Sequence, residues 1–254
     1  MPKTTVVLPT YNEIENLPLM IDALMKLSIA DLSILIVDDN SPDGTGDLAD
    51  KLALQYAGRI SVLHRKEKKG LGAAYIAGFE KALAAGADYI IQMDCDFSHQ
   101  PKYIPAMIAA AENADMVLAS RYVKGGSVDE SWSLFRKLLS GFANTVYVPT
   151  LLSMPIYDAT GGFRLWRRQT LIGIDLTRIR SKGYVYQVEM AYVTYRLGFK
   201  VQEIPIHFPD RERGNSKMSP KVQLEAASRV WEIMRLHRVL TPKMRATELV
   251  SAYH

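Results

Sequence analysis

Ile90-Ile91-Gln92-Met93-Asp94-Cys95-Asp96-Phe97-Ser98-His99 is an apolar run that ends abruptly in two carboxylates one residue apart. The run reads as a buried strand that delivers both acids to the end of a sheet. Two ionised carboxylates that close repel each other and are costly to desolvate, so a divalent cation between them is the expected resident. A hard cation at such a place, Mg²⁺ or Mn²⁺, points to a diphosphate as its further ligand.

Upstream of this run, short β-rich stretches alternate with longer helical patterns, the signature of a mostly parallel sheet covered by helices. Strands are predicted near Thr4 to Pro9, Ser33 to Asp38, Ile60 to Leu63, Tyr89 to Met93 and Met116 to Ser120. Helical spacing recurs over Glu13 to Leu27, Gly46 to Tyr56, Leu71 to Ala85 and Pro101 to Ala111. Pro101 suits a first helical turn after the carboxylate loop. The half so defined is doubly wound, with its ligand groups at the carboxyl ends of the strands. Downstream the alternation is lost: helices are predicted at Ser133 to Val146, Gln187 to Leu197 and Lys221 to Leu240, a turn at Gly161-Gly162, and a strand from Lys200 to His207. Nothing reads as a linker between domains.

At 254 residues, 48% hydrophobic and 23% charged, one α/β domain accounts for the chain. Neither a signal peptide nor an apolar stretch near the roughly 18 residues of a membrane span is read, so a cytoplasmic protein is expected. A single cysteine excludes an intrachain disulfide. The net charge of +4 hides a division: residues 1–120 carry 10 Lys/Arg and 16 Asp/Glu, whereas 121–254 carry 21 and 11. The basic half suits an anionic partner or a membrane surface.

Two further strand ends carry polar clusters, Leu8-Pro9-Thr10-Tyr11-Asn12-Glu13 and Val37-Asp38-Asp39-Asn40-Ser41-Pro42-Asp43-Gly44-Thr45. Carboxylates there accept from a ribose hydroxyl or a base N–H, while Asn40 and Asp43 also suit turn or capping roles. Neither G-x-G-x-x-G nor G-x-x-x-x-G-K-[ST] occurs, which argues against a dinucleotide dehydrogenase or a P-loop enzyme and leaves the diphosphate to the metal.

With these three strand ends in place, the sequence resembles the inverting family 2 glycosyltransferases of GT-A fold, and within them the dolichol or polyprenol phosphate mannosyltransferases. The likeness also runs through Lys69-Gly70-Leu71-Gly72-Ala73-Ala74, Ala119-Ser120-Arg121-Tyr122, Asp158-Ala159-Thr160-Gly161-Gly162-Phe163-Arg164, Gly183-Tyr184-Val185-Tyr186-Gln187-Val188-Glu189 and Asp210-Arg211-Glu212-Arg213-Gly214-Asn215-Ser216-Lys217. It implies a GT-A domain over 1–220, with a nucleotide and metal half (1–120) and an acceptor half (121–220), followed by a C-terminal helical extension over 221–254. It further implies metal ligation by Asp94 and Asp96, nucleotide contacts from Pro9, Tyr11, Glu13, Val37 and Asp39, and a backbone contact of Cys95 with the donor. Arg121, Arg211 and Lys217 would sit at the phosphates and, with Asp96, form the catalytic set. Two departures stand out: Cys95 replaces a smaller residue, and Ser98 stands where some relatives have a longer amide able to reach the metal.

The expected reaction moves mannose from GDP-mannose onto a polyprenyl or dolichyl monophosphate. UDP-glucose or another nucleotide sugar is the alternative donor, and a non-catalytic nucleotide-sugar-binding module the alternative class. A divalent ion with Lys and Arg neutralises the departing diphosphate. A phosphate acceptor with a second pKa near ~6 is already largely dianionic and needs no general base. Arg121, Arg136, Arg164, Arg211, Arg213 and Lys217 are available to bring two anions together, with Arg121, Arg136 and Arg213 assigned to the acceptor phosphate. A hydroxyl acceptor would need a carboxylate base, for which Glu189 is the candidate, although an orienting salt bridge to an arginine is the preferred reading. His99 suits support of the metal loop more than ligation. Arg164, Arg167 and Arg168 read equally as a solvated cluster or phosphate contacts, and Tyr184 and Tyr186 as core or substrate contacts. Ser131-Trp132-Ser133-Leu134-Phe135-Arg136-Lys137 mixes aromatics and cations as an interfacial segment does, and core packing of Trp132 and Phe135 fits as well. A prenyl acceptor places the protein peripherally at the cytosolic face of a membrane; no nucleic acid partner is expected.

Overall fold

Each stretch of alternating strand and helix pattern in the first half forms the predicted element. The computed structural model describes residues 2–183, 185–210 and 220–249, with side chains from 220 to 226 left aside. β1 (Thr4–Thr10), β2 (Leu32–Asp38), β3 (Ile60–His64), β4 (Tyr89–Gln92) and β5 (Met116–Ser120) are separated by α1 (Leu17–Met25), α2 (Thr45–Gln55), α3 (Leu71–Ala84) and α4 (Ile104–Ala110). The second half adds β6 (Ser127–Val128), α5 (Leu134–Phe142), α6 (Val148–Leu152), β7 (Arg164–Arg167), α7 (Arg168–Ile174), α8 (Tyr186–Arg196), β8 (Val201–Pro205), β9 (His207–Phe208) and α9 (Pro220–His237).

Seven strands form one sheet in the order β3-β2-β1-β4-β7-β5-β8. All neighbours are parallel except β7, which runs antiparallel between β4 and β5. Successive residues of a strand face opposite sides, so β1 sends Val6 and Leu8 into one core and Val7 into the other, and β2 divides Ile34 and Ile36 from Leu35 and Val37. The first core is filled by α1, α2 and α4, and the second by α3, α6, α7, α8 and α9. This is the three-layer α/β arrangement of the GT-A fold, and the double burial explains why the strands read as continuous apolar runs. At Gly78 of α3 a Cβ would lie 2.3 Å from Val7 Cγ1, so the missing side chain lets that helix sit directly on the sheet.

Several boundaries differ from expectation for local reasons. The helix expected from Glu13 begins at Leu17, because Asn12 takes a left-handed φ of 61° and the next residues form turns. The strand expected over Lys200 to His207 splits after Pro205, which has no N–H to donate: β8 pairs with β5, and β9 pairs with β6 in a separate two-stranded ribbon. β7 escapes a sequence reading because its two central apolar residues, Leu165 and Trp166, are flanked by arginines. The helix at Ser133 continues past Val146 through a π turn at Ala143–Tyr147 into α6.

Candidate active site

The loops that leave β1, β2 and β4 lie side by side at the carboxyl edge of the sheet, as Pro9 pairs with Val37 and Val7 with Gln92. Each contains a non-glycine residue in the left-handed region: Asn12 (61°), Asn40 (57°) and Phe97 (62°). Such conformations cost about 1–3 kcal/mol each and persist only where surrounding bonds impose them. Those bonds are present. Asp38 accepts from the Thr10 hydroxyl (3.0 Å) and the Ser41 hydroxyl (2.6 Å), and Ser41 Oγ accepts the Asn12 amide (3.1 Å). Asp43 accepts from the Thr45 hydroxyl (2.6 Å), the Thr45 amide (3.0 Å) and the Ile14 amide (3.3 Å), so it is a loop-holding residue. Burial alone would raise its pKa; these bonds hold it below the ordinary value.

The nucleotide-side residues meet at this edge. Asp39 is buried and ion-paired to Arg65, a partner the sequence pattern does not reveal. Burial raises the Asp39 pKa, with Arg65 opposing. Lys68 Nζ lies 3.6 Å from the centre of the Tyr11 ring, Glu13 accepts from Asn16 Nδ2 at 2.7 Å, and Val37 is fully buried beneath them. The Cys95 thiol is buried and pushed well above its usual pKa, first by desolvation and then by Glu13, Asp96 and Asp94.

Asp94 is half-buried and Asp96 is buried. Asp96 Oδ1 accepts from the Ser98 hydroxyl (2.5 Å) and the Ser98 amide (3.1 Å), a short turn that fixes the carboxylate. Ser98 thus braces Asp96. Asp94 Oδ1 accepts from Tyr75 Oη at 2.6 Å, and no described residue donates to Oδ2. Burial, then the Asp94 charge, drive the Tyr75 phenol well above its ordinary pKa, so it remains a donor. The Asp94 amide donates to His99 Nδ1 at 2.8 Å, which leaves the imidazole proton on Nε2 and makes His99 a support of the loop. Among the described residues no three His, Cys, Asp or Glu side chains group as a metal site. Two carboxylates alone nevertheless suit Mg²⁺ or Mn²⁺, which keep several positions for water and phosphate oxygens.

Facing these loops, Arg121 forms a buried fork with Asp158: Nε to Oδ2 at 2.9 Å and Nη2 to Oδ1 at 2.6 Å, while Nη2 also reaches the Thr160 hydroxyl at 2.9 Å. Burial works against the charge, but Asp158 overrides it and raises the Arg121 pKa. The guanidinium also lies 5.2 Å from the Phe208 ring, which meets His99 at 5.9 Å and Trp132 at 5.9 Å. Arg136 covers Trp132 at 3.6 Å and pairs with Asp210 at 3.3 Å. Phe208 is therefore a hub between the carboxylate loop and two candidate phosphate arginines; in the sequence it is one apolar residue before a proline. Arg211, Arg213, Lys217 and Tyr184 lie outside the described residues.

The structure gives the surroundings of four further groups for which the sequence left a reading open. Among the described residues Glu189 pairs with no arginine side chain: it is buried, accepts the amides of Arg180 (3.1 Å) and Ser181 (2.7 Å), and bonds His237 Nε2 at 2.8 Å. Arg167 donates to carbonyls at the end of α4 and Arg168 to those at the end of α3, and both are half-buried there. Arg164 is fully buried, donates to Gly161 and Ala159 carbonyls, has no hydrogen-bond partner for Nη1 among the described residues, and has its pKa lowered to about 10 by desolvation. Trp132 is core, whereas Phe135 is 74% exposed.

The acidic loop after β4 and Arg121 after β5 thus share one edge of the sheet with the loops after β1 and β2, the arrangement of a candidate glycosyltransferase site. Residues 5–174 match the profile of Glycosyl transferase family 2, and the chain belongs to that family. It is 45% identical over 228 residues, 90% of its length and 92% of the relative's, to the undecaprenyl-phosphate mannosyltransferase of Micrococcus luteus. To the polyprenol monophosphomannose synthase of Mycolicibacterium smegmatis it is 46% identical over 231 residues, 91% of this chain and 86% of that one. Among solved structures, glucosyl-3-phosphoglycerate synthase of Mycobacterium tuberculosis in complex with Mn²⁺, uridine diphosphate and phosphoglyceric acid has a TM-score of 0.63 at 18% identity, over 94% of this chain and 79% of that one. That likeness concerns the fold.

Proposed function

We propose that this glycosyltransferase moves mannose from GDP-mannose to a polyprenyl or dolichyl monophosphate, with inversion at the anomeric carbon, using a divalent metal held by Asp94 and Asp96. The observation that carries the reading is the sheet order β2-β1-β4-β7-β5, which sets the acidic loop after β4 between the loops after β1 and β2 and Arg121 after β5. The relatives named for mannose transfer to polyprenyl phosphates support the same substrates. Bound there, Mg²⁺ or Mn²⁺ supplies charge neutralisation for the leaving diphosphate. Pro9, Tyr11, Glu13, Val37 and Asp39 hold the nucleotide, Cys95 contacts the donor through its backbone, and Arg121 with Arg136 receives the acceptor phosphate; Arg211, Arg213 and Lys217 are assigned to the same phosphates. A dianionic phosphate attacks without a base, which accords with the engagement of Glu189 by two amides and His237. The 1–120 half then serves the donor and 121–220 the acceptor.

A prenyl chain stays in its bilayer, so the site must reach a membrane surface. No helix among the described residues is long and apolar enough to cross one. α5 instead offers a surface: Leu134, Phe135, Leu138, Leu139 and Phe142 share one helical face, no residue of the helix is buried, and Leu134 and Leu138 are 72% and 64% exposed. Arg136 and Lys137 flank that face, as an anionic lipid surface favours, at about 1 kcal/mol per cation. On the opposite side Ser140 bonds Tyr122, the neighbour of Arg121, at 2.6 Å. The test is partition to vesicles containing anionic lipid: Phe135→Glu with Leu138→Glu should abolish flotation with the vesicles and sharply reduce transfer to long-chain lipid phosphate, while transfer to a short, water-soluble prenyl phosphate persists. Unchanged vesicle binding would contradict this role for α5.

A further inference from the structure

We propose that Tyr75 is the positioning residue of the metal site, fixing Asp94 so that one carboxylate oxygen is occupied by the phenol and the other is kept for the cation. The inference rests on the reading of Asp94 and Asp96 as the metal ligands. Asp94 lies beyond the end of β4, on a loop braced by the Asp96–Ser98 turn and by the bond of the Asp94 amide to His99 Nδ1, neither of which holds the Asp94 carboxylate. Its side chain has one donor among the described residues, Tyr75 Oη at 2.6 Å. That donor cannot swing away. Tyr75 is fully buried, its ring stacked against Phe79 (centroids 5.9 Å, planes 27° apart) and Tyr186 (6.2 Å, 7°). One turn further on, Gly78 seats α3 against Val7 and Val37. A rigid helix thereby reaches across to orient a carboxylate on a loop, the usual way a neighbouring hydrogen bond fixes the direction and basicity of a ligand. Without it Asp94 is free to rotate and to meet the repulsion of Asp96 in several orientations, and the cost of ordering it falls on metal binding.

Binding of Mn²⁺ alone to the full chain, followed by loss of the free-ion electron paramagnetic resonance signal, separates this role from general packing. Tyr75→Phe keeps the ring stack and removes only the hydroxyl; the expected result is Mn²⁺ affinity weakened about 10-fold or more with an unchanged near-ultraviolet dichroism spectrum. Phe79→Leu loosens the same stack but keeps the phenol, and should weaken Mn²⁺ binding far less. Asp96→Asn should abolish it. Wild-type Mn²⁺ affinity in Tyr75→Phe, or an equal loss in Phe79→Leu, overturns the proposal while the metal site stands. Wild-type affinity in Asp96→Asn removes the metal site itself, and the role of Tyr75 with it.

Discussion

At the scale of single residues, the site is built from charges that are costly to bury and from the groups that make burial tolerable. The Arg121–Asp158 fork shows this most directly, with Asp158 fully inaccessible and the arginine side chain 10% exposed. Asp158→Ala leaves a buried guanidinium without its counter-charge, and the expected loss is about 3–5 kcal/mol in denaturant unfolding; a loss near zero would show that the pair is solvated. Cys95 gives a second expectation, because its thiol is buried and raised well above the ordinary range. It should resist alkylation in the folded protein at neutral pH and react at once in denaturant, and fast native labelling would contradict its burial. The position of the acidic pair at a strand end was legible in the sequence because an apolar run stops at it, whereas Arg121 entered only through the family resemblance. Tyr75, Phe208 and Arg65 were not, since an aromatic on an apolar helix or a lone arginine after a strand carries no local mark of its long-range partner.

At the scale of elements, the strands announced themselves and the second-half helices did so only in part. Continuous apolar runs identify β1, β2, β4 and β5, whereas β7 depends on neighbours contributed by distant segments. α9 reads weakly because its inward stripe contains a titratable residue: Val230, Ile233 and His237 are buried against the body of the protein. The reason is Glu189 on α8, which His237 bonds across the helix pair. Glu189 is held below the ordinary glutamate value, since the bonds from His237, Ser181 and Arg180 outweigh burial. A depressed carboxylate contributes its full stabilisation above the unfolded value of about 4.5 and loses it as pH falls through the lower folded value. Glu189→Gln should therefore unfold at lower denaturant at pH ~7, with the gap to wild type narrowing as pH drops below about 4.5. A gap that widens toward acid would reverse the assignment.

At the scale of the whole molecule, the division of charge acquires a spatial meaning. The acidic first half supplies the loops at the carboxyl edge of β1, β2 and β4, and the basic second half supplies Arg121, Arg136 and the exposed face of α5. Under the proposed reaction, which joins one anion to another, a cation would release the diphosphate and fixed arginines would admit the incoming phosphate. The decisive measurement is a transfer assay with labelled GDP-mannose, and in parallel labelled UDP-glucose, polyprenyl phosphate in anionic vesicles, and Mn²⁺. Label from GDP-mannose is expected in the organic phase, abolished by Asp96→Asn; no transfer from GDP-mannose, or undiminished transfer by Asp96→Asn, would contradict the proposed reaction.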